Sequence, residues 1–192
     1  MPLLIDTDSR TDTLVRAIND VLIDKGPSGL SLRRIAEYSG VSTSSMLHHL
    51  GSREHLLRVA AGRTAERRLA HLRVESSLDG ALAFVPRNGD EVLDARAWLA
   101  WQELWRSESG LERTLAVARQ GELALLAGVF DYQLVRSQLQ AIAALVDGLL
   151  VAICSPREPM RLDEARQILG SRCHTWPTTS VSPSPPLSRR TA

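Results

Sequence analysis

The chain has 192 residues, of which 44% are hydrophobic, 23% are charged and only 4% are aromatic. This length allows one large domain or two small ones, and the apolar content is that of a globular protein. Leu and Ala dominate, β-branched runs are few and apolar residues recur at helical spacing, so we predict an all-α fold. The two cysteines, Cys154 and Cys173, are too few and too far apart for a disulfide framework or a thiolate metal site.

The formal net charge is +1, but the charges are unevenly distributed. Residues 31–75 carry eight Arg and four Glu, whereas residues 1–30 and the chain after residue 75 are slightly acidic. This local excess favours phosphate binding, although a solvated Arg-rich helix would have the same composition. The first ten residues do not resemble a signal peptide, and we expect no apolar stretch of membrane-spanning length. A soluble, cytoplasmic protein with no membrane partner is therefore predicted.

The beginning of the chain predicts a short frayed arm at residues 1–10 and a first helix from about Thr11 to Lys25. Apolar residues recur in this helix every three or four positions. Gly-Pro-Ser-Gly at residues 26–29 ends it, because a Gly-Pro pair stops a helix and starts a loop. The helix is expected to supply one wall of a small apolar core.

The segment from Ser31 to Arg53 predicts two short helices joined by a tight turn. Ser31 can cap the first helix, Gly40 can end it in the left-handed conformation, and Ser42 can cap the second. Ala36 supplies the small residue that two crossing helices need where they touch. This combination is typical of a helix-turn-helix motif, and an ordinary helical hairpin is the alternative.

The second helix of the motif, residues 42–50, turns Met46 and Leu50 inward. Small hydroxyls and imidazoles remain on its outward face, with no long side chain to prevent close approach to a DNA groove. These outward residues are Thr43, Ser44, Ser45, Leu47, His48 and His49. Ser52 then caps a long helix from Arg53 to about Val74. Arg53 is positioned to bind phosphate, because the free amides of a helix N-terminus add partial positive charge.

Residues 10–60 resemble the N-terminal DNA-binding domain of TetR-family transcriptional regulators. The matching residues are Gly40, Val41, Ser42, His49, Gly51, Ser52, Glu54, Leu56 and Leu57. The resemblance implies a double-stranded DNA operator as partner. It implies that Arg33 reaches a base or phosphate, that the outward face of the second helix lines the major groove, and that Arg53 binds phosphate. Leu47 stands where the family usually has a phosphate-binding tyrosine, so we expect weaker DNA affinity than is usual.

His48, His49 and His55 are candidate metal ligands by residue type. Two adjacent histidines on one helix point about 100° apart, and no Cys or carboxylate cluster accompanies them. We therefore predict no metal and no other cofactor.

Two helices are predicted next, around residues 77–85 and from Asp90 to about Ser107. The second carries Trp98, Trp101 and Trp105 at spacings of three and four. Such a stripe is typical of core packing. Its alternative role is the wall of a pocket in which cation–π attraction holds a small cationic effector. This helix and Val-Asp-Gly at residues 146–148 resemble the C-terminal half of choline- and betaine-responsive TetR-type repressors, which implies a ligand-binding domain.

Three further helices are predicted at about residues 111–128, 134–154 and 162–172. The middle one has a face of small and branched apolar residues, which would let two helices approach closely in a homodimer formed by residues near 134–154 and 162–172. An intramolecular core face is the alternative. A dimer suits DNA recognition, because two recognition helices about 34 Å apart can read successive major grooves of a palindrome.

The predicted architecture has about nine helices. It comprises a helix-turn-helix domain at residues 10–55, a ligand-binding and dimerisation domain at 56–173, and a disordered Pro/Ser/Thr-rich tail at 174–192. The predicted function is a ligand-responsive, non-enzymatic repressor. One alternative is a helix-turn-helix module that binds only proteins. The other is a small helical enzyme using histidines as acid–base groups, although no Ser/His/Asp, Cys/His or paired-carboxylate pattern supports catalysis.

Overall fold

The computed structural model describes residues 7–108 and 110–175. These segments form eight α-helices and two short 3₁₀ turns, and they contain no β-strand. The helices are α1 (Thr7–Lys25), α2 (Leu32–Ser39), α3 (Thr43–Leu50), α4 (Arg53–Asp79), α5 (Gly89–Leu104), α6 (Glu112–Val129), α7 (Arg136–Ile153) and α8 (Leu162–Thr175). The predicted all-α fold is confirmed. Residues 176–192 of the predicted tail and residues 1–6 of the predicted arm lie outside the described residues.

The first helix begins four residues earlier than predicted, because its first turns are fixed by contacts with α4. Asp8 pairs with Arg63 at 3.0 Å, and Asp12 pairs with Arg67 at 2.7 Å. An acidic residue in the first turn also suits the positive end of the helix dipole. Residues 7–10 are therefore helical rather than part of a frayed arm.

The fourth helix is longer than predicted and absorbs part of the helix expected at residues 77–85. It continues to Asp79 and ends at Gly80, whose φ of 60° is a conformation that favours glycine. Residues 80–84 then form a 3₁₀ turn. The described residues consequently contain eight helices rather than about nine.

One apolar core holds the N-terminal helices together. The side chains of Ile18 in α1, Ile35 in α2, Met46 in α3 and Leu57 in α4 are at most 1% exposed. The same core extends into α5 with Trp98 and Trp101, and into α6 with Leu115 and the residue just before that helix, Leu111. The helix-turn-helix is thus held rigidly against the helices that follow it. The predicted domain boundary at residue 55 stays a prediction, since α4 contributes to this core and to the next.

A second apolar core fills the space between the end of α4, the 3₁₀ turn and α5 to α8. Helix α7 is the most apolar helix here, with a mean hydropathy of 1.3 over 18 residues, a third of which are buried. By length and composition it could cross a membrane, contrary to the expectation that no stretch reaches that length. Its inward residues, such as Ile142 and Leu149, pack in the second core as those of an ordinary core helix do.

Candidate nucleic-acid interface

The turn between α2 and α3 has the capping geometry that the sequence predicts. The Ser31 hydroxyl accepts a hydrogen bond from the Arg34 amide at 3.3 Å, and the Ser42 hydroxyl accepts one from the Ser45 amide at 3.2 Å. Gly40 has a φ of 70°, and its amide donates to the Ala36 carbonyl at 2.9 Å. Because each bond satisfies a group that the helix end leaves open, the two helices are fixed close to one another.

The inner side of α3 is fixed by apolar packing. Met46 is fully buried, and Leu50 and Val41 are half-buried against the first core. Replacing a fully buried Met by Ala lowers the free energy of unfolding by about 2–5 kcal/mol. Met46 therefore contributes strongly to holding α3 in its orientation.

The outward residues of α3 are not equally accessible. Thr43, Ser44 and His48 are exposed, whereas Ser45, Leu47 and His49 are half-buried. The His49 ring is turned toward α1, with its Nε2 atom 3.2 Å from the hydroxyl of the buried Thr11. His49 therefore connects α3 to α1 and is less free to face a ligand than its neighbour His48.

Two arginines flank the N-terminus of α2. The Arg33 side chain is 89% exposed, and its Nε donates to Glu37 at 3.1 Å. Arg34 donates from Nη1 to the carbonyl of Gly29 at 2.7 Å. Together with Ser31 they line a shallow depression beside the free amides of the helix. An anion such as a phosphate is favoured at this position by both the guanidinium groups and the helix dipole.

Arg53 has a partner that the sequence does not predict. Its Nη1 and Nη2 atoms donate to the two carboxylate oxygens of Glu108, at 2.6 and 2.8 Å. Hydrogen bonding to Glu108 raises the pKa of Arg53, so the guanidinium stays charged. Glu108 follows α5 by four residues, and no local pattern could have revealed a contact over this sequence distance. Arg53, which the sequence predicts to bind a DNA phosphate, is thus bound here by a carboxylate from the C-terminal half.

Tyr38 is a second residue at this surface that the sequence analysis did not single out. It is 39% exposed on α2, and its hydroxyl donates to Asp24 at 2.8 Å. Hydrogen bonding to that carboxylate raises the pKa of Tyr38.

Over residues 7–108 and 110–175, no group of three or more His, Cys, Asp and Glu side chains is placed to hold a metal ion.

The three tryptophans of α5 lie in three different environments. Trp101 is fully buried, and its indole N–H donates to the side-chain oxygen of Asn19 at 2.9 Å. Trp98 is 4% exposed, and the guanidinium of Arg68 lies 5.3 Å from the centre of its ring. Trp105 ends the helix and is 42% exposed. They therefore do not form one pocket wall, and the cation–π partner of Trp98 is an arginine of the protein itself.

A cavity of about 420 Å³ lies between α1, α4 and α5, and Trp98 is the one tryptophan on its wall. Asp147, which belongs to the Val-Asp-Gly segment at residues 146–148, does not line this cavity. Its carboxylate accepts two hydrogen bonds from Arg119, of 3.0 and 2.6 Å. Arg119 also pairs with the buried Glu122 at 3.4 Å. The space beside this ion-pair network measures about 10 Å³, which is too small for an organic ligand.

Comparison with known proteins relates both halves of the chain to transcription factors. Residues 14–60 match the family model of bacterial regulatory proteins of the tetR family. The HTH-type transcriptional regulator PksA of Bacillus subtilis (strain 168) is 25% identical over 187 residues, covering 86% of this chain and 88% of that protein.

Solved structures share the fold over most of the chain. A protein from Rhodococcus sp., described as a TetR-family transcriptional regulator, superposes with a TM-score of 0.74 and 21% identity, covering 86% of this chain and 97% of that one. A protein from Saccharomonospora viridis, described as a transcriptional regulator in complex with choline, superposes with a TM-score of 0.72 and 15% identity. The match covers 88% of this chain and 97% of that one. Residues 14–60 thus match the DNA-binding segment of tetR-family regulatory proteins, and the solved structures show that the similarity of fold extends over the C-terminal helices.

Proposed function

We propose that the protein is a homodimeric repressor that reads an inverted repeat through α3 and changes its DNA affinity when a small molecule binds. The observation that carries the proposal is the outward face of α3. Its small exposed residues Thr43 and Ser44, with His48 beside them, are presented by a helix whose opposite side is locked by Met46. A rigid helix with short outward side chains can enter the major groove, where every base pair presents a distinct pattern of donors and acceptors.

The proposed contacts divide into two classes. Thr43, Ser44, Ser45, Leu47 and His48 face bases, with His49 at the margin because its ring contacts Thr11. Arg33, which is largely exposed, reaches a base or a phosphate, and Arg53 binds phosphate after it leaves Glu108. Phosphate contacts position the protein, and base contacts give it sequence preference.

The proposed dimer forms through α7, with α8 beside it. The outward face of α7 carries exposed small and apolar residues, namely Ala141, Ala144, Gly148 and Val151. Val151 is 58% exposed, and a Cβ atom added to Gly148 would meet no atom within 4 Å apart from its chain neighbours and the nearby backbone of its own helix. An apolar face of small residues gains little in a monomer, whereas a second copy of the same helix would bury it closely.

The effector part of the proposal follows from linkage. A ligand that binds one arrangement of the two recognition helices more tightly must weaken binding to DNA that demands another arrangement. The S. viridis neighbour was solved with choline, which supports a small-molecule effector for a protein of this fold. The proposed place of action is the cytoplasm, where operator DNA lies.

Selection of bound duplexes from a random DNA library tests the proposal. We expect enrichment of an inverted repeat whose half-sites are centred about one helical turn, roughly 34 Å, apart. Ser44→Asp, which places a negative charge on the exposed face of α3, should abolish enrichment without changing the helical circular dichroism spectrum. Enrichment of an asymmetric sequence would contradict the proposal that a homodimer binds an inverted repeat. No enrichment by the wild-type protein would favour a module that binds only proteins.

A further inference from the structure

A pair of opposite charges, Arg68 of α4 and Glu122 of α6, lies at the boundary between the two apolar cores. Each follows a residue of the first core by about one helical turn and precedes a residue of the second core by another. Ala65 and Leu72 flank Arg68 in this way, and Ala118 and Leu126 flank Glu122. Helical periodicity ordinarily places an apolar residue at such an inward position. Charge therefore interrupts the apolar interior at the same level of two neighbouring helices.

The Arg68 guanidinium is held from two other helices. Its Nε donates to the carboxylate of the buried Glu122 on α6, and the guanidinium lies 5.3 Å from the centre of the Trp98 ring on α5. The Arg68 side chain is only 17% exposed. A guanidinium suits both contacts, because it is planar, its charge is delocalised and its N–H groups donate in fixed directions. Arg68 therefore joins α4 to α5 and α6 through contacts that depend on direction.

Arg119 extends the pair to α7. It donates to Glu122 at 3.4 Å, and its two terminal nitrogens donate to the carboxylate of Asp147 at 3.0 and 2.6 Å. Asp94 of α5 interacts with Arg68 at longer range, through charge. Within residues 7–108 and 110–175, no buried side-chain nitrogen or oxygen lacks a hydrogen-bond partner. The pair and its neighbours are therefore satisfied by the chain itself, and the space of about 10 Å³ beside them admits no organic ligand.

A buried pair of this kind contributes more to a unique arrangement of helices than to stability. The cost of removing two charges from water roughly offsets their attraction, so an apolar pair of similar volume would be about as stable. Apolar attraction has no direction, however, and two apolar helix faces can pack in more than one register. A slip of one helical turn, about 5.4 Å, would bring Arg68 and Glu122 against apolar core residues and leave both charges unpaired.

We infer that Arg68 and Glu122 are positioning residues, whose pair fixes the register of α4 along α6 and thereby the distance of α3 from α7. Helix α4 runs without a break from Arg53, beside the helix-turn-helix, to the second core. The first core joins α1, α2 and α3 to its N-terminal half. The register of α4 therefore sets where α3 lies relative to α7. That DNA reads this placement as the separation of two half-sites rests on the proposed function.

Electron–electron double resonance on the DNA-free, full-length protein tests the inference. Spin labels are attached at Ser44→Cys on α3 and Arg136→Cys at the start of α7, both exposed positions, after Cys154→Ser and Cys173→Ser remove the native thiols. Labelled chains are diluted with an excess of unlabelled protein, so that only distances within one chain are measured. We expect one narrow distance distribution for this labelled parent protein.

The test variant combines Arg68→Met with Glu122→Leu, which replaces the pair by apolar side chains. Its melting temperature should stay close to that of the labelled parent, because an apolar pair replaces a buried ion pair at little cost. Its distance distribution should broaden or split, with a second distance that differs by up to about 5 Å, one helical turn. The matched control is Arg67→Met on the same helix, since Arg67 is 48% exposed and pairs with Asp12. It should leave the distribution unchanged.

Glu122→Gln gives the same comparison if the double variant does not fold, since it keeps the shape of the side chain and removes its charge. It too should broaden the distribution. A narrow, unshifted distance in these variants would overturn the inference, and so would an equal broadening by Arg67→Met.

The DNA-dependent part is tested separately, by selection from duplexes whose half-sites lie at different separations. The parent protein should enrich one separation and the double variant several. A broadened distance with an unchanged separation would support the positioning role and refute its effect on DNA reading. Absence of DNA binding by the parent protein would refute the proposed function while leaving the distance result intact.

Discussion

The guanidinium of Arg53 holds both carboxylate oxygens of Glu108, at 2.6 and 2.8 Å, over a sequence separation of 55 residues. Arg53 is the first residue of α4 at the edge of the helix-turn-helix, and Glu108 lies in the turn after α5. A carboxylate in this two-point contact offers a guanidinium the same geometry as a phosphate group. If Arg53 binds a DNA phosphate as proposed, Glu108 competes with that phosphate for the guanidinium.

The first prediction concerns this competition. Glu108→Gln should increase affinity for all DNA sequences and steepen the dependence of log affinity on log salt by about one unit, as expected for one more phosphate contact. The same substitution should lower thermal stability slightly, because a partly exposed ion pair contributes about 0–1 kcal/mol. Filter binding over a salt series measures the first effect. Glu112→Gln, at an exposed position at the start of α6, is the control. An unchanged salt slope would show that Glu108 does not restrain Arg53.

The second prediction separates base contacts from phosphate contacts. Arg33→Ala and His48→Ala should each cost about 1–3 kcal/mol of binding free energy on the selected duplex and relax sequence preference at one position. In the Glu108→Gln protein, where Arg53 is released, Arg53→Ala should instead weaken binding to every duplex alike and return the salt dependence to that of the wild type. Gel-shift titrations on the selected and on randomised duplexes distinguish the two patterns, with Arg73→Ala on the exposed surface of α4 as the control. Equal losses on both duplexes for Arg33→Ala and His48→Ala would refute base reading.

The helix-turn-helix was predictable because its determinants are local. Each cap bond that fixes it spans three or four residues, as between Ser42 and Ser45, and the left-handed turn needs a glycine at one position, Gly40. Such short-range chemistry is visible in the order of the residues. The burial of Met46 was predictable for the same reason, since helical periodicity determines which residue of a short helix faces inward.

The rest of the fold and of the candidate site depends on contacts between different helices, which helical periodicity in the sequence cannot predict. The early start of α1 comes from pairs with α4, such as Asp8 with Arg63. The three tryptophans share a spacing but not an environment, because Trp98 faces Arg68 across the helix interface while Trp101 binds Asn19. Sequence spacing places side chains on one face of a helix, and only the packing of other helices decides which part of that face meets a core, a cavity or water.

The third prediction follows from the partial desolvation of the Asp94 carboxyl, although the residue as a whole is exposed. Its pKa in the folded protein is raised by desolvation, so folding favours the protonated form. The stabilisation is complete below the ordinary Asp pKa of about 3.9 and is lost as pH rises through the folded value. Asp94→Asn keeps an uncharged side chain at every pH. Its melting temperature should exceed that of the wild type at pH 7, and the difference should shrink toward zero as pH falls to about 4.

Differential scanning calorimetry across this pH range checks the third prediction, with Glu103→Gln as the matched control. The control removes a carboxylate from the same helix, at an exposed position that does not line the cavity. A melting difference for Asp94→Asn that does not change with pH would show that the carboxylate is not destabilised by its surroundings.

The fourth prediction tests the outward face of α7 as the dimer interface. Gly148→Ala and Gly148→Gln should both stabilise the helix itself, by about 1 kcal/mol, because glycine is a poor helix former and a Cβ atom there meets no atom beyond its chain neighbours and the nearby backbone of its own helix. Only the glutamine projects far enough to keep two α7 helices apart. Size-exclusion chromatography with light scattering should therefore show a dimer for the wild type and the alanine variant, and a monomer for Gly148→Gln. The monomer should bind the palindromic duplex more weakly, because each half-site is then held by one head alone. A dimeric Gly148→Gln protein would place the interface elsewhere.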